Sequence, residues 1–248
     1  MKKTEIMQFY DNQFHLFKEE VDLTTRDTQL ANEIIEQIGV PFQSVFELGA
    51  GNGLLARSLA AFDKTITTVE LIPDMVTFAQ QFDHPNITSL CGDFYTIELP
   101  KTFDTILYID GFGVGTDEEQ LLLLHRIRKW LKADGVALID IYHPNYWRKT
   151  SGQTMHPFPS EHISRVYGFD EESNRMTDTW WNEEHPEKTY TQSLACYLPD
   201  EIYALCKQAQ LQIVAYYPGG AMDFEQWQYQ EQVALSECLS YRIKLKKR

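Results

Sequence analysis

The chain has 248 residues, enough for one sizeable α/β domain with an insertion. Its formal net charge of -14 disfavours a nucleic-acid partner, because phosphate binding needs a basic patch and the one basic cluster is the terminal Lys244-Leu245-Lys246-Lys247-Arg248. No stretch approaches the ~20 apolar residues of a membrane span, and no apolar run follows Met1-Lys2-Lys3, so neither a membrane partner nor a signal peptide is expected.

In chain order, residues 4–18 place Ile6, Phe9, Tyr10, Phe14 and Phe17 at spacings of mostly three and four, which predicts an amphipathic helix with an aromatic face. Leu30, Ile34, Ile35 and Ile38 predict a second helix that exits at Gly39-Val40-Pro41. Ser44–Leu48 then reads as a strand, followed by a loop with glycines at 49, 51 and 53 and a helix opening at Leu54. Thr65–Glu70 is a second strand, Pro73 starts a helix, and Asn86–Cys91 is a third strand running into Gly92-Asp93. Phe103–Ile109 is a fourth strand, ending at Asp110-Gly111. A capping-box pattern at Thr116-Asp117-Glu118-Glu119 opens a long leucine-rich helix, expected to close at Asp134-Gly135 before strand five, Val136–Ile141.

Strands alternating with helices imply right-handed crossovers and a mostly parallel, doubly wound sheet, with ligands at the carboxyl ends of the strands. Glu47, Glu70, Asp93 and Asp110 all fall at such ends. From His143 the pattern changes. Residues 143–161 read as an irregular loop, and three strands follow at Ile163–Asp170, Met176–Asn182 and Thr189–Leu198. They form an antiparallel β insertion, residues 146–195, ahead of the last helix at Asp200–Gln208. Gln212–Tyr217 and Cys238–Leu245 return to the sheet, and 219–232 stays ambiguous. Cys91, Cys196, Cys206 and Cys238 form no C-x-x-C pair and show no zinc spacing, so reduced thiols in a cytoplasmic protein without a metal site are expected.

The loop decides between two cofactor classes. Glycines at alternate positions permit positive φ and close approach of a ligand, and the helix opening after them presents free N–H groups to an anionic one. The dinucleotide fingerprint G-x-G-x-x-G wants glycine where this chain has Leu54, so that pattern fails. The observed E-x-G-x-G-x-G resembles motif I of the class I S-adenosylmethionine (SAM)-dependent methyltransferases, and the resemblance covers residues 40–145 and, by element order, 195–217. It implies a seven-stranded, mostly parallel sheet with SAM as cofactor. In that family Gly49, Ala50, Gly51 and Gly53 would line the methionine portion, with Glu47 facing its amino group. Glu70, with Leu71 beside it, would bind the ribose hydroxyls. Asp93 would accept from the adenine amino group next to Phe94, and Asp110 and Gly111 would lie near the sulfonium.

Nucleic-acid amino methyltransferases of this fold usually carry [DN]-P-P-[YFW] after strand four, where this chain has Asp110-Gly111-Phe112-Gly113. A small-molecule acceptor with a nitrogen or oxygen nucleophile is therefore expected. The alternatives are a non-catalytic SAM-binding or regulatory protein and a nucleic-acid methyltransferase. For an oxygen acceptor His143 would be the general base, although His-Pro-Asn is also a turn sequence. Tyr10 and Phe14 are expected as one wall of the acceptor pocket and Trp147 as part of the other. The aromatic residues of the insertion fit equally a core or a homodimer surface.

Overall fold

A computed structural model describes residues 3–16, 22–82, 84–158 and 162–248. The chain begins with α1 (Lys3–Leu16) and α2 (Thr25–Ile38), and Phe17 lies outside the described residues. A capping box starts α2: the Thr24 hydroxyl accepts from the Asp27 N–H, and the Asp27 carboxylate accepts from the Thr24 N–H at 2.7 Å. Gly39, at φ +62°, ends it in the left-handed region.

The sheet is built from β1 (Ser44–Leu48), β2 (Thr65–Glu70), β3 (Ile87–Cys91), β4 (Phe103–Tyr108), β5 (Leu131–Tyr142), β10 (Leu211–Pro218) and β13 (Ser240–Lys247). Their spatial order is β10-β13-β5-β4-β1-β2-β3. All pairings from β3 across to β5 are parallel, whereas β13 runs antiparallel to both β5 and β10. Strand alternation divides the core into two layers. Val45, Leu107, Val136 and Leu138 pack with α2 and α3 (Leu54–Ala60), while Phe46, Leu48, Ile106 and Ile139 pack with α5 (Asp117–Trp130) and α7 (Pro199–Gln208). The expected doubly wound α/β sheet is thus present, with α4 (Pro73–Gln80) between β2 and β3.

The chain runs from β1 outward through β2 and β3, then returns to β4 on the other side of β1. That reversal leaves a crevice at the carboxyl ends of β1 and β4. Above it stands a second sheet, β6 (Thr154–Phe158), β7 (Ile163–Asp170), β8 (Arg175–Asn182) and β9 (Thr189–Ala195), antiparallel throughout. Its inner face, with Tyr167, Met176 and Leu194, shares a core with Tyr142, Tyr146 and Trp147, and Ile6 and Tyr10 of α1 pack against it. The first helix is therefore held between the sheet's carboxyl edge and the insertion.

Two expectations need correction, and one open stretch is resolved. The long helix ends at Trp130, not at Asp134-Gly135, because Leu131 is already extended and pairs with Phe103; the next printed pairing, Thr105 with Val136, leaves residues 132–135 as an irregularity. Residues 143–161 are not a loop throughout, since they contain α6 (Pro144–Lys149) and β6. The ambiguous stretch holds a short hairpin, β11 (Ala221–Asp223) with β12 (Gln228–Gln230).

Candidate functional site

A cavity of about 460 Å³ opens at the crevice, within the usual size of small-molecule sites. Each strand end contributes. Gly49 and Gly51 follow β1, Glu70 and Leu71 close β2, Asp93 and Phe94 follow β3, and Asp110 and Gly111 follow β4. Lys3, Ile6, Tyr10 and Gln13 of α1 form the facing wall.

The loop after β1 is shaped by backbone bonds. The Gly49 N–H donates to Val69 O at 2.9 Å, and Gly49, Gly51 and Gly53 all have positive φ. A Cβ at Gly51 would meet nothing within 4 Å, so the space above it belongs to the cavity. Glu70 is 8% exposed and holds this loop: its carboxylate accepts from the Gly51 N–H and the Ile72 N–H, both at 2.9 Å. Each oxygen keeps a further lone pair for a ligand hydroxyl.

Glu47 lies one residue before the end of β1, and its buried Oε2 has no hydrogen-bond partner among the described residues. Burial, aided by the neighbouring Glu70 charge, pushes its carboxyl up to about 8, so it is protonated at neutral pH. Asp93 Oδ1 accepts from the Tyr95 N–H at 2.8 Å, and Oδ2 meets Lys3 Nζ at 2.6 Å.

Asp110 adopts φ +56°, unusual for a residue other than glycine but tolerated by aspartate. Its turn is fixed from below. The Tyr108 hydroxyl donates to Gly111 O at 2.7 Å, and a Cβ at Gly111 would meet the Tyr108 ring at 2.6 Å. The carboxylate accepts from the Tyr142 hydroxyl. Asp110 is exposed towards the cavity, and desolvation by the surrounding protein pushes its carboxyl up to about 6, against the opposing pull of the Tyr142 bond. Desolvation also holds the Tyr10, Tyr108 and Tyr142 phenols neutral, well above their ordinary range.

The structure gathers most of the expected residues, but not all. Ala50 and Gly53 do not line the cavity. Gly53 is the left-handed N-cap of α3, where a Cβ would press on Ala79 Cβ at 3.1 Å, so it packs that helix against α4. Glu47 lies outside the lining as well. Tyr10 is on the wall, and its hydroxyl donates to Gln192 Oε1 at 3.3 Å. Phe14 is not: its ring meets Phe78 edge-on at 5.8 Å. Trp147, 1% exposed, is core; its indole N–H donates to Leu239 O, and its ring meets Tyr167 at 4.5 Å.

His143 requires the clearest correction. It is 2% exposed, its Nδ1 accepts from the Asn145 N–H at 3.3 Å, and its ring rests against Tyr241. Desolvation lowers its pKa. It caps α6, with Pro144 at the first helical position, and does not face the cavity. Sequence reasoning did not single out Tyr108 and Glu119, which line the cavity, or Tyr142, whose hydroxyl donates to Asp110. Tyr108 and Tyr142 end β4 and β5, and that position was the available signal.

Residues 45–135 match the family model described as "Methyltransferase domain". Over 76 residues the chain is 34% identical to a probable ribosomal RNA small subunit methyltransferase A of Pyrobaculum islandicum, covering 31% of this chain and 32% of that protein. Over 89 residues it is 33% identical to an uncharacterized methyltransferase of Bacillus cytotoxicus, covering 36% and 42% respectively. The matches thus span less than half of either curated relative. Among solved structures, the CcbJ methyltransferase from Streptomyces caelestis superposes with a TM-score of 0.75 at 16% identity, over 100% of this chain and 99% of that one. SAM-bound CalS10, an amino pentose methyltransferase from Micromonospora echinaspora, superposes with a TM-score of 0.63 at 17% identity, over 93% and 100%. At these identities the superpositions establish the fold.

Proposed function

We propose, from the premise that the chain carries a methyltransferase domain in a class I SAM-dependent methyltransferase fold, that it transfers a methyl group from SAM to a small-molecule nitrogen or oxygen nucleophile. The observation that carries the reading is the cavity itself. It has the glycine loop and three strand-end acids on one side, and a helix of the same chain closing the other.

The residues fit the cofactor. The room above Gly51 accommodates a ligand chain, and Glu70 retains acceptor capacity for two ribose hydroxyls while its backbone bonds fix its orientation. Asp93 and Phe94 suit the adenine end. There Lys3, whose side chain is 57% exposed, forms an ion pair weak enough to yield to a ligand. Bound there, SAM supplies a methyl group activated by its sulfonium for in-line displacement. The chain's part is to align the acceptor and keep water out. Tyr10 and Ile6 of α1 supply apolar covering, and aromatic faces suit a cationic sulfonium. One similar structure is named an amino pentose methyltransferase and one relative a probable ribosomal RNA methyltransferase; between the two, the net charge of -14 favours the small molecule.

In this reading the β insertion at 146–195 serves the acceptor side, a homodimer surface being the other use of its aromatic residues. The test is transfer of a labelled methyl from SAM to a panel of amines, alcohols and RNA. Label in a small molecule alone is expected. Label in RNA would overturn the acceptor class, and tight SAM binding without transfer to any acceptor would favour a non-catalytic, SAM-binding protein.

A further inference from the structure

Among the charged residues that line the cavity are four carboxylates, Glu70, Asp93, Asp110 and Glu119, and one lysine, Lys3. Three of the acids are committed. Glu70 accepts from two backbone N–H groups, Asp93 is bound by Lys3 and the Tyr95 N–H, and Glu119 closes a capping box on Thr116 at 2.8 Å. Lys3 is itself taken by Asp93. Asp110 differs: Tyr142 engages Oδ1, and Oδ2 carries no hydrogen bond among the described residues. Its positive-φ turn, locked by Tyr108, places Asp110 in the cavity lining in advance of any ligand. The nearby cation, Arg165, lowers the Asp110 carboxyl but is itself bound to Asp178 through Nε at 3.0 Å and through a second guanidinium nitrogen.

We propose that Asp110 and Tyr142 form the acceptor subsite and select an amine, so that the methyl acceptor is a primary or secondary amine whose N–H is donated to Asp110 Oδ2. This rests on the SAM reading above and moves Asp110 from the cofactor side to the acceptor side. A carboxylate or phosphate acceptor would meet like charge there, with the nearby Arg165 already engaged by Asp178, a repulsion that a partly desolvated site enlarges. An ammonium or amine meets a charge-assisted acceptor among neutral phenols.

The titration of the subsite follows from its surroundings. Asp110 is faced by Tyr142 and Asp140 from β5, Tyr108 from β4, Tyr10 from α1, Arg165 and Tyr167 from β7, and Asp178 from β8. The phenols are all raised by desolvation; Asp178 is held by Arg165, and Asp140 by Arg242 at 2.6 Å. Asp110 is thus the group in this set whose carboxyl lies at about 6, and amine binding weakens as pH falls through that value. Removing the Tyr142 hydroxyl takes away the bond that lowers it, so the midpoint rises in Tyr142→Phe.

The test uses the full chain saturated with S-adenosylhomocysteine. It titrates phenethylamine, phenethyl alcohol and phenylacetate by calorimetry, with methylamine as a probe small enough for any cavity of this size. The amines should bind and phenylacetate should not. Asp110→Asn, isosteric and equally tolerant of positive φ, should weaken amine binding by about tenfold or more and abolish its pH dependence, while S-adenosylhomocysteine affinity is retained. Tyr142→Phe should shift the pH midpoint upward. Phenylacetate binding as well as the amines, no amine binding, or unchanged amine affinity in Asp110→Asn would each overturn the proposal. If Asp110→Asn loses S-adenosylhomocysteine affinity instead, Asp110 belongs to the cofactor, and this inference falls while the proposed function stands. If the wild-type protein binds no S-adenosylhomocysteine, the proposed function falls and takes this inference with it.

Discussion

The two sides of the cavity are built by different means. The glycine-loop side is backbone: positive φ at three glycines, N–H groups turned to Glu70 and Val69, and strand ends that deliver an acid at each step. The α1 and insertion side is made of side chains from distant segments, with Tyr10, Gln192, Asp178 and Arg165 joined across more than 150 residues of sequence. A backbone-built site tolerates divergence elsewhere, because it depends on local conformation. A side-chain-built one depends on every partner being in place, and it is where members of one fold diverge in acceptor.

The largest expected effect strikes the second side. Asp178 is fully buried and serves Arg165, the Trp180 indole at 2.8 Å and Gln192. Asp178→Ala leaves Arg165, 19% exposed, without its partner, and should cost about 3–5 kcal/mol in denaturant unfolding. If the two sides are independently built, a folded remainder still binds S-adenosylhomocysteine. Equal loss of both properties would break the comparison.

Glu70→Ala tests the first side. It removes the acceptor of two loop N–H groups and of the proposed ribose contacts, and should weaken cofactor binding by about 1.5–3 kcal/mol. Calorimetry with S-adenosylhomocysteine reads this directly. Unchanged affinity would mean that the loop binds nothing through Glu70.

His143→Ala should behave as a lost helix cap, costing about 1 kcal/mol of stability with His143→Asn largely restoring it. Loss of turnover recovered at high pH would instead return His143 to the reaction. The smallest effect belongs to Lys3→Ala. An exposed ion pair contributes under about 1 kcal/mol, so stability should scarcely move, while the release of Asp93 should leave cofactor affinity equal or slightly higher. A marked fall in that affinity would make Lys3 part of the cofactor site.

What could be read from sequence follows the same division. The glycine loop, the capping box at Thr116, and the strand-end acids are local signals, and each appears where local rules place it. The end of α5 did not, because Leu131 leaves the helix to pair with Phe103, a contact 28 residues back that no local pattern reports. Phe14 and Trp147 were assigned to the pocket from their aromatic character, but which face a side chain presents is decided by packing: Phe78 claims one and Tyr167 the other. His143 read as a base because it follows a strand at the carboxyl face. The Pro144 after it was the better signal, marking a helix N-terminus.

The central claim is that the cavity beneath α1 is a SAM site. Calorimetric titration of the purified chain with S-adenosylhomocysteine and, separately, with NAD tests it most directly. The account predicts saturable, one-to-one binding of S-adenosylhomocysteine that Gly51→Val abolishes by placing a strained side chain at φ +55° in the cavity, together with no binding of NAD. Tight NAD binding without S-adenosylhomocysteine binding, or S-adenosylhomocysteine affinity indifferent to Gly51→Val, would contradict it.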